Sequence, residues 1–186
     1  MQLHFAMARL CFFCGAHAGT DGHYRSLADE IARALVDAEY GLVYGGGRVG
    51  LMGSLADAVL ARGGEVVGVI PRALAREEVA HDGISALHVV ETMHERKALM
   101  ARLSDGFVAL PGGYGTMDEF HEILTWRQLH IHDKPIGLLN TDGFYDHLLA
   151  QYDRMLGEGF LNSRTRGLFV AEATIDALLR SISTAR

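Results

Sequence analysis

The stretch FVALPGGYGTMDEFHEIL, residues 107–124, decides the fold. Its first four residues, 107–110, form a short apolar run without polar alternation. Such a run reads as a strand covered on both faces. A glycine cluster, Pro111-Gly112-Gly113-Tyr114-Gly115, breaks it, and a helix is predicted over residues 116–129. Strand, glycine turn and helix together make the repeating unit of an α/β layer.

The same alternation extends in both directions. Apolar runs at residues 9–14, 41–44, 65–70, 87–90, 136–139 and 168–170 read as further strands. Between them lie helical patterns at 24–38, 51–61, 93–103 and 175–182, with Leu148, Tyr152 and Leu156 marking one more. The expectation is a Rossmann-like doubly wound parallel sheet with helices on both faces, forming one nucleotide-binding domain over residues 1–186. In such sheets ligands bind at the carboxyl ends of the strands.

Composition agrees with that class. A chain of 186 residues supports one sizeable core. With 49% apolar and 22% charged residues it is neither disordered nor fibrous. A net charge of −6 does not favour nucleic acid or an acidic membrane. No segment reaches the ~18–20 apolar residues of a membrane span, and the first residues lack the pattern of a secretory signal. The C-x-x-C pair, Cys11 and Cys14, falls in a strand with no helix start behind the first cysteine. Both read as buried apolar residues of a cytoplasmic protein.

Glycine is in excess, 22 residues against only three prolines, and it clusters in three loops. These are residues 14–19 (CGAHAG, with Gly15), 45–53 (GGGRVGLMG, with Gly45, Gly46, Gly47 and Met52) and 111–119 (PGGYGTMDE). Each sits where a strand ends and a helix begins, where unpaired N–H groups and the helix dipole favour a phosphate. By its letters, Gly45-x-Gly47-x-x-Gly50 matches the dinucleotide fingerprint. It is not in the first strand–helix turn, however, and the next strand ends in Ile70-Pro71-Arg72 rather than an acid. Only this weak match and Arg72 speak for an NADP-binding oxidoreductase. No Walker lysine is present.

Thr116-x-x-Glu119 and Thr92-x-x-Glu95 fit helix capping boxes. Asp118 already supplies negative charge to the helix start, which leaves Glu119 available to a ligand. Arg96 and Lys97 lie in the first turns of their helix, where cations oppose the dipole. The helix leaves the ligand edge and the following strand returns to it, so Arg96 is expected at the same edge as Pro111. Met93, Tyr114 and Trp126 read as packing residues, with Tyr114 also able to line a pocket. His130-x-His132 is the one close histidine pair, and neither a metal nor a cofactor is expected.

GGGRVGLMG, MHERK and PGGYGTMDE, in this order, resemble the cytokinin-activating phosphoribohydrolases called Lonely Guy proteins. The resemblance runs from about Arg9 to the last helix and includes TWRQL-x-IHDKPIGLLN. The family is often labelled lysine decarboxylase, yet this chain has only two lysines, Lys97 and Lys134. The resemblance implies hydrolysis of the N-glycosidic bond of N6-modified adenosine 5′-monophosphates or of AMP, giving free base and ribose 5-phosphate. It also implies a homodimer with the active site near the subunit contact. Arg96 and Glu119 would be the catalytic pair. Glu78, Lys97, Gly112, Gly113, Tyr114, Gly115, Thr116, Asp118 and Thr125 would contact substrate. One departure stands out: the family's Cys-Gly-Ser is Cys14-Gly15-Ala16 here, which removes a hydroxyl. That keeps a second expectation open, a non-catalytic nucleotide or molybdenum-cofactor carrier of the same fold.

Overall fold

The structure, a computed structural model, describes residues 8–17, 19, 23–75 and 79–184. Two compact units emerge. The described residues between 16 and 105, with the strand residues up to 12, form the first, and the described residues 13–15 with 106–184 form the second.

In the first unit, β1 (Arg9–Phe13), β2 (Gly41–Tyr44), β3 (Val66–Pro71) and β4 (Ala86–Val90) pair in the order β4-β3-β2-β1, all parallel. The interior strands β2 and β3 are buried along their whole length, as expected when helices cover both faces. Helix α1 (His23–Asp37) turns Leu27, Ile31 and Leu35 inward at four-residue spacing and packs on α2 (Gly50–Ala61). Each such side chain, fully buried, contributes about 1.5–3 kcal/mol. Helix α3 (Met93–Leu103) is capped by Thr92, whose side chain accepts from the Glu95 amide at 3.1 Å. The returning half of that box is shifted by one residue: Glu95 Oε2 accepts from the Glu91 amide at 2.8 Å. Away from the glycine loops, the Arg9 guanidinium grips Glu65 at 2.8 and 2.7 Å, and its hydrogen bonds hold the Glu65 carboxyl below the usual carboxylate range.

In the second unit, β5 (Gly106–Ala109), β6 (Ile136–Leu139) and β7 (Val170–Glu172) pair in that order, again parallel. Around them lie α4 (Tyr114–Gln128), α5 (Asp146–Gly157), the single turn α6 (Ser163–Arg166) and α7 (Ile175–Thr184). Phe13 stacks on Phe107, with centroids 6.0 Å apart and planes 9° from parallel. The strand order β4-β3-β2-β1-β5-β6-β7 is that of a doubly wound α/β fold.

Three local expectations are corrected. The last strand occupies Val170–Glu172 rather than 168–170, since Phe169 turns into the aromatic cluster with Phe120 and Tyr152 instead. Helix α4 starts two residues early, with Gly113 as its N-cap. Thr116 is therefore inside the first turn, and the Thr116–Glu119 capping box does not form. Tyr114 and Met93 are not packing residues: Tyr114 is 96% exposed and Met93 41%. The two cysteines are buried, as the sequence predicts, and neither forms a disulfide.

Candidate active site

The loop at residues 45–53 is held from several sides. Arg96, on the first turn of α3, is 5% exposed. Its Nε donates to Val69 O at 3.1 Å and one terminal nitrogen to Gly45 O at 2.7 Å. The other terminal nitrogen lies 3.8 Å from Met93 Sδ. A Cβ at residue 45 would overlap that guanidinium and press on Met52 Sδ, which explains glycine there. Gly46 and Gly50 have positive φ, +78° and +68°, a conformation that side chains rarely adopt. At Gly50 a Cβ would strike the backbone of Ala16, so the first and second glycine loops meet there through main chain. Lys97 is half-buried one residue after Arg96. Glu78 lies outside the described residues.

The loop at residues 111–115 is built differently. Nothing lies within 4 Å of a Cβ added at Gly113 or Gly115. At Gly112 a Cβ would overlap Thr116 Oγ1 and crowd the Gly15 amide at 3.0 Å, so Gly15 and Gly112 close round that hydroxyl. Thr116 is 3% exposed, and its Oγ1 has no hydrogen-bond partner among the described residues. Leaving a hydroxyl buried and unsatisfied costs about 1–3 kcal/mol. It stands in the first turn of α4, where backbone N–H groups and the helix dipole favour an anion. A phosphoryl oxygen accepting from Thr116 would satisfy it. Glu119 is half-buried one turn on, and Asp118 is exposed.

One face of α4 lines an open cleft of about 560 Å³, formed by Tyr114, Met117, Asp118, His121, Glu122, Thr125 and Trp126. His121 is fixed within it. Its Nδ1 lies 2.7 Å from Met117 O, which can only accept, so Nδ1 carries the proton. Its Nε2 then accepts from the Tyr152 hydroxyl at 2.7 Å. Burial keeps that hydroxyl protonated well above the usual tyrosine range. Thr125 Oγ1 donates to His121 O at 2.7 Å.

The structure thus gathers Gly45, Gly46, Gly47, Met52 and Arg96 in one loop system, and Gly15, Gly112, Gly113, Tyr114, Gly115 and Thr116 in another. His81, whose Nε2 lies 2.9 Å from Asp57 Oδ1, and the His121–Tyr152 pair are not read as site residues in the sequence. Their pairings span 24 and 31 residues, which no local spacing betrays. Of the close histidine pair, His132 has both ring nitrogens engaged, on Ile123 O and the Lys134 amide.

Comparison with known proteins adds the following. A family model described as "Possible lysine decarboxylase" matches residues 52–182. The probable cytokinin riboside 5′-monophosphate phosphoribohydrolase LOGL1 of Oryza sativa subsp. japonica is 50% identical over 94% of this chain and 78% of its own length. The cytokinin riboside 5′-monophosphate phosphoribohydrolases LOG2 and LOG1 of Arabidopsis thaliana are 48% and 43% identical. They cover 92% and 98% of this chain, and 81% and 85% of their own lengths. Among solved structures, the molybdenum cofactor carrier protein of Chlamydomonas reinhardtii superposes with a TM-score of 0.72 at 20% identity, over 96% of this chain and 98% of that one. The molybdenum cofactor binding protein of Rippkaea orientalis does so at 0.72 and 17%, over 97% and 98%. At those identities the structures establish the fold alone.

Proposed function

The chain belongs to the cytokinin riboside 5′-monophosphate phosphoribohydrolase family, and on that premise we propose that it hydrolyses the N-glycosidic bond of an adenosine 5′-monophosphate, N6-modified or plain. The bond from the ribose C1′ to the base breaks, the bonding electrons leave with the base, the oxygen of a water joins C1′, and a proton in balance with the one that water loses is taken up by the departing base nitrogen. The products are free base and ribose 5-phosphate. In the structure, the observation that carries the reading is the buried, unpartnered Thr116 hydroxyl beneath Gly112 at the start of α4. It suits an oxygen-rich anion such as a 5′-phosphate. The carrier alternative rests on fold likeness, whereas the relatives at 43–50% identity are hydrolases by name.

The remaining roles are part of the same proposal. Gly15 and Gly112 to Thr116 hold the phosphate, and this remote binding positions the sugar. Glu119 stabilises the positive charge that develops on the ribose and takes a proton from the attacking water. Arg96 acts with it as a catalytic residue, its fork of donors offering hydrogen bonds to sugar oxygens or the leaving base while it braces the first loop. Glu78, Lys97, Tyr114, Asp118 and Thr125 contact substrate. The reading includes one nucleotide-binding domain and a cytoplasmic homodimer. Among the described residues, no helix is long and apolar enough to cross a membrane.

The test is a comparison of base release from AMP and from isopentenyladenosine monophosphate, followed by chromatography. Release from either supports the reading, and folded protein that releases neither base overturns it. Glu119→Gln should lower kcat by about 10²–10⁴-fold, with nucleotide binding largely kept. An unchanged kcat would move the chemistry to another residue.

A further inference from the structure

Met93 is the first residue of α3, one turn before Arg96, and its side chain is 41% exposed. One terminal nitrogen of Arg96 donates to Met93 Sδ at 3.8 Å. Nε and the other terminal nitrogen are committed to Val69 O and Gly45 O, at 3.1 and 2.7 Å. A thioether is the weakest of these three acceptors. The guanidinium is buried, so an accessible sulfur touches a cation that solvent hardly reaches.

A second thioether flanks the same cation. A Cβ added at Gly45 would overlap the Arg96 nitrogen and lie 3.2 Å from Met52 Sδ, but Met52 is only 7% exposed. Met100, further along α3, is fully buried. Met117 and Met155 are half-buried, and among the described residues Met93 is the one exposed methionine. Methionine oxidation needs access to the sulfur. An oxidant arriving from solvent therefore meets the sulfur bound by Arg96 well before those at 52 and 100.

We propose that Met93 is a modification site, whose oxidation to the sulfoxide by a hydroperoxide draws Arg96 onto the new oxygen and slows the enzyme. The part that Arg96 plays in turnover rests on the phosphoribohydrolase reading. With hydrogen peroxide, the sulfur lone pair attacks one oxygen, an S–O bond forms and the O–O bond breaks. Sulfur gives up two electrons. The other oxygen leaves as hydroxide and takes the proton of the attacked one, giving water. The sulfur–nitrogen distance of 3.8 Å exceeds a charge-assisted N–H···O bond of about 2.7–2.9 Å, so an oxygen carried on the sulfur falls within reach of that nitrogen. A weak acceptor becomes a strong one, and one arm of the guanidinium fork is taken up. Reduction by two thiols removes the oxygen as water and leaves a disulfide between them, so the change is reversible.

The test treats the full chain with hydrogen peroxide. Its readouts are mass spectrometry of the methionine peptides, base release from AMP and nitrogen NMR of the Arg96 side chain. Met93 should be oxidised well ahead of Met52 and Met100. As it is consumed, kcat/KM should fall about tenfold, the effect of one charged hydrogen bond, and the Arg96 signal should shift. Methionine sulfoxide reductases should restore both. Met93→Leu should keep its rate under peroxide, and because Cys11 and Cys14 are present in parent and variant alike, this separates their oxidation from that of Met93. Met93→Gln, whose carbonyl carbon takes the place of the sulfur, should be slowed without any peroxide.

The proposal fails if Met52 or Met100 oxidises as fast as Met93. It fails equally if Met93 becomes the sulfoxide with the Arg96 signal unmoved, or if peroxide slows Met93→Leu as much as the parent. A parent that releases no base from either nucleotide overturns the functional reading instead, and the mass spectra and the Arg96 signal still decide the oxidation.

Discussion

The two glycine loops that precede α2 and α4 look alike in sequence and are wired in opposite ways. In the loop before α2, Arg96, His81 and Val79 clasp the main chain, and an added Cβ at Gly45 has nowhere to go. In the loop before α4, Gly113 and Gly115 face open space and Thr116 is buried without a partner. The first loop has its internal needs met by protein, whereas the second leaves one unmet for a ligand. Glycine therefore serves two purposes under one letter: close packing against a side chain in one loop, and room for an incoming group in the other.

The sharpest way to break this contrast is to place the same methyl group in both loops. Gly45→Ala should expel the Arg96 guanidinium from Gly45 O. Overpacking of that kind costs about 1–3 kcal/mol of stability. The displaced loop should lower kcat/KM about a hundredfold. Gly115→Ala meets nothing and lies in a helix, where alanine is favoured over glycine by at most about 1 kcal/mol. Its Tm should hold or rise, so any loss of activity there reports on substrate rather than on folding. Melting curves and steady-state kinetics on the two variants decide it. Equal loss of Tm in both would erase the distinction.

The next effect is smaller and falls on the open loop alone. Thr116→Val removes the unpartnered hydroxyl and keeps the shape. The free protein should gain about 1 kcal/mol, because a desolvated polar group is replaced by an apolar one. Ribose 5-phosphate should bind about tenfold more weakly, because a hydrogen bond to a charged oxygen is lost. Thr116→Ser should keep the binding. A Thr116→Val protein that binds as well as the parent would mean the hydroxyl is structural, and the second loop would then resemble the first.

The sequence revealed the strands more readily than the wiring. Runs such as residues 65–70 are apolar because both faces are covered, and burial of that kind is written locally. The start of α4 is hidden in the sequence because Thr116-x-x-Glu119 imitates a capping box, while a glycine N-cap carries no side-chain signal. The turn α6 is marked in the sequence only by Asn162 and Thr165, which form a reciprocal capping box. Arg96 is singled out by the family resemblance of MHERK. Its burial and its hold on Gly45 O, 51 residues away, depend on how β2, β3 and α3 pack together. The His81–Asp57 contact is illegible for the same reason.

The far end of α4, away from the open loop, is tied by a side chain that titrates. His132 donates from Nε2 to Ile123 O at 2.9 Å and accepts the Lys134 amide on Nδ1 at 3.1 Å, against the ring of Phe107. Only the neutral imidazole can do both. Burial, with Arg127 and Lys134 nearby, lowers its pKa below the usual 6.5, although Asp133 and the bond to Ile123 pull the other way. The sign follows from proton uptake. Below about pH 6.5 the unfolded chain takes up a proton that the folded chain refuses, so this contribution is complete above 6.5 and is lost as pH falls toward the lowered value. Tm should therefore drop between about pH 7.5 and 5.5 more steeply in the parent than in His132→Gln, which cannot titrate. Parallel slopes would show that this end of α4 is not held by a neutral histidine.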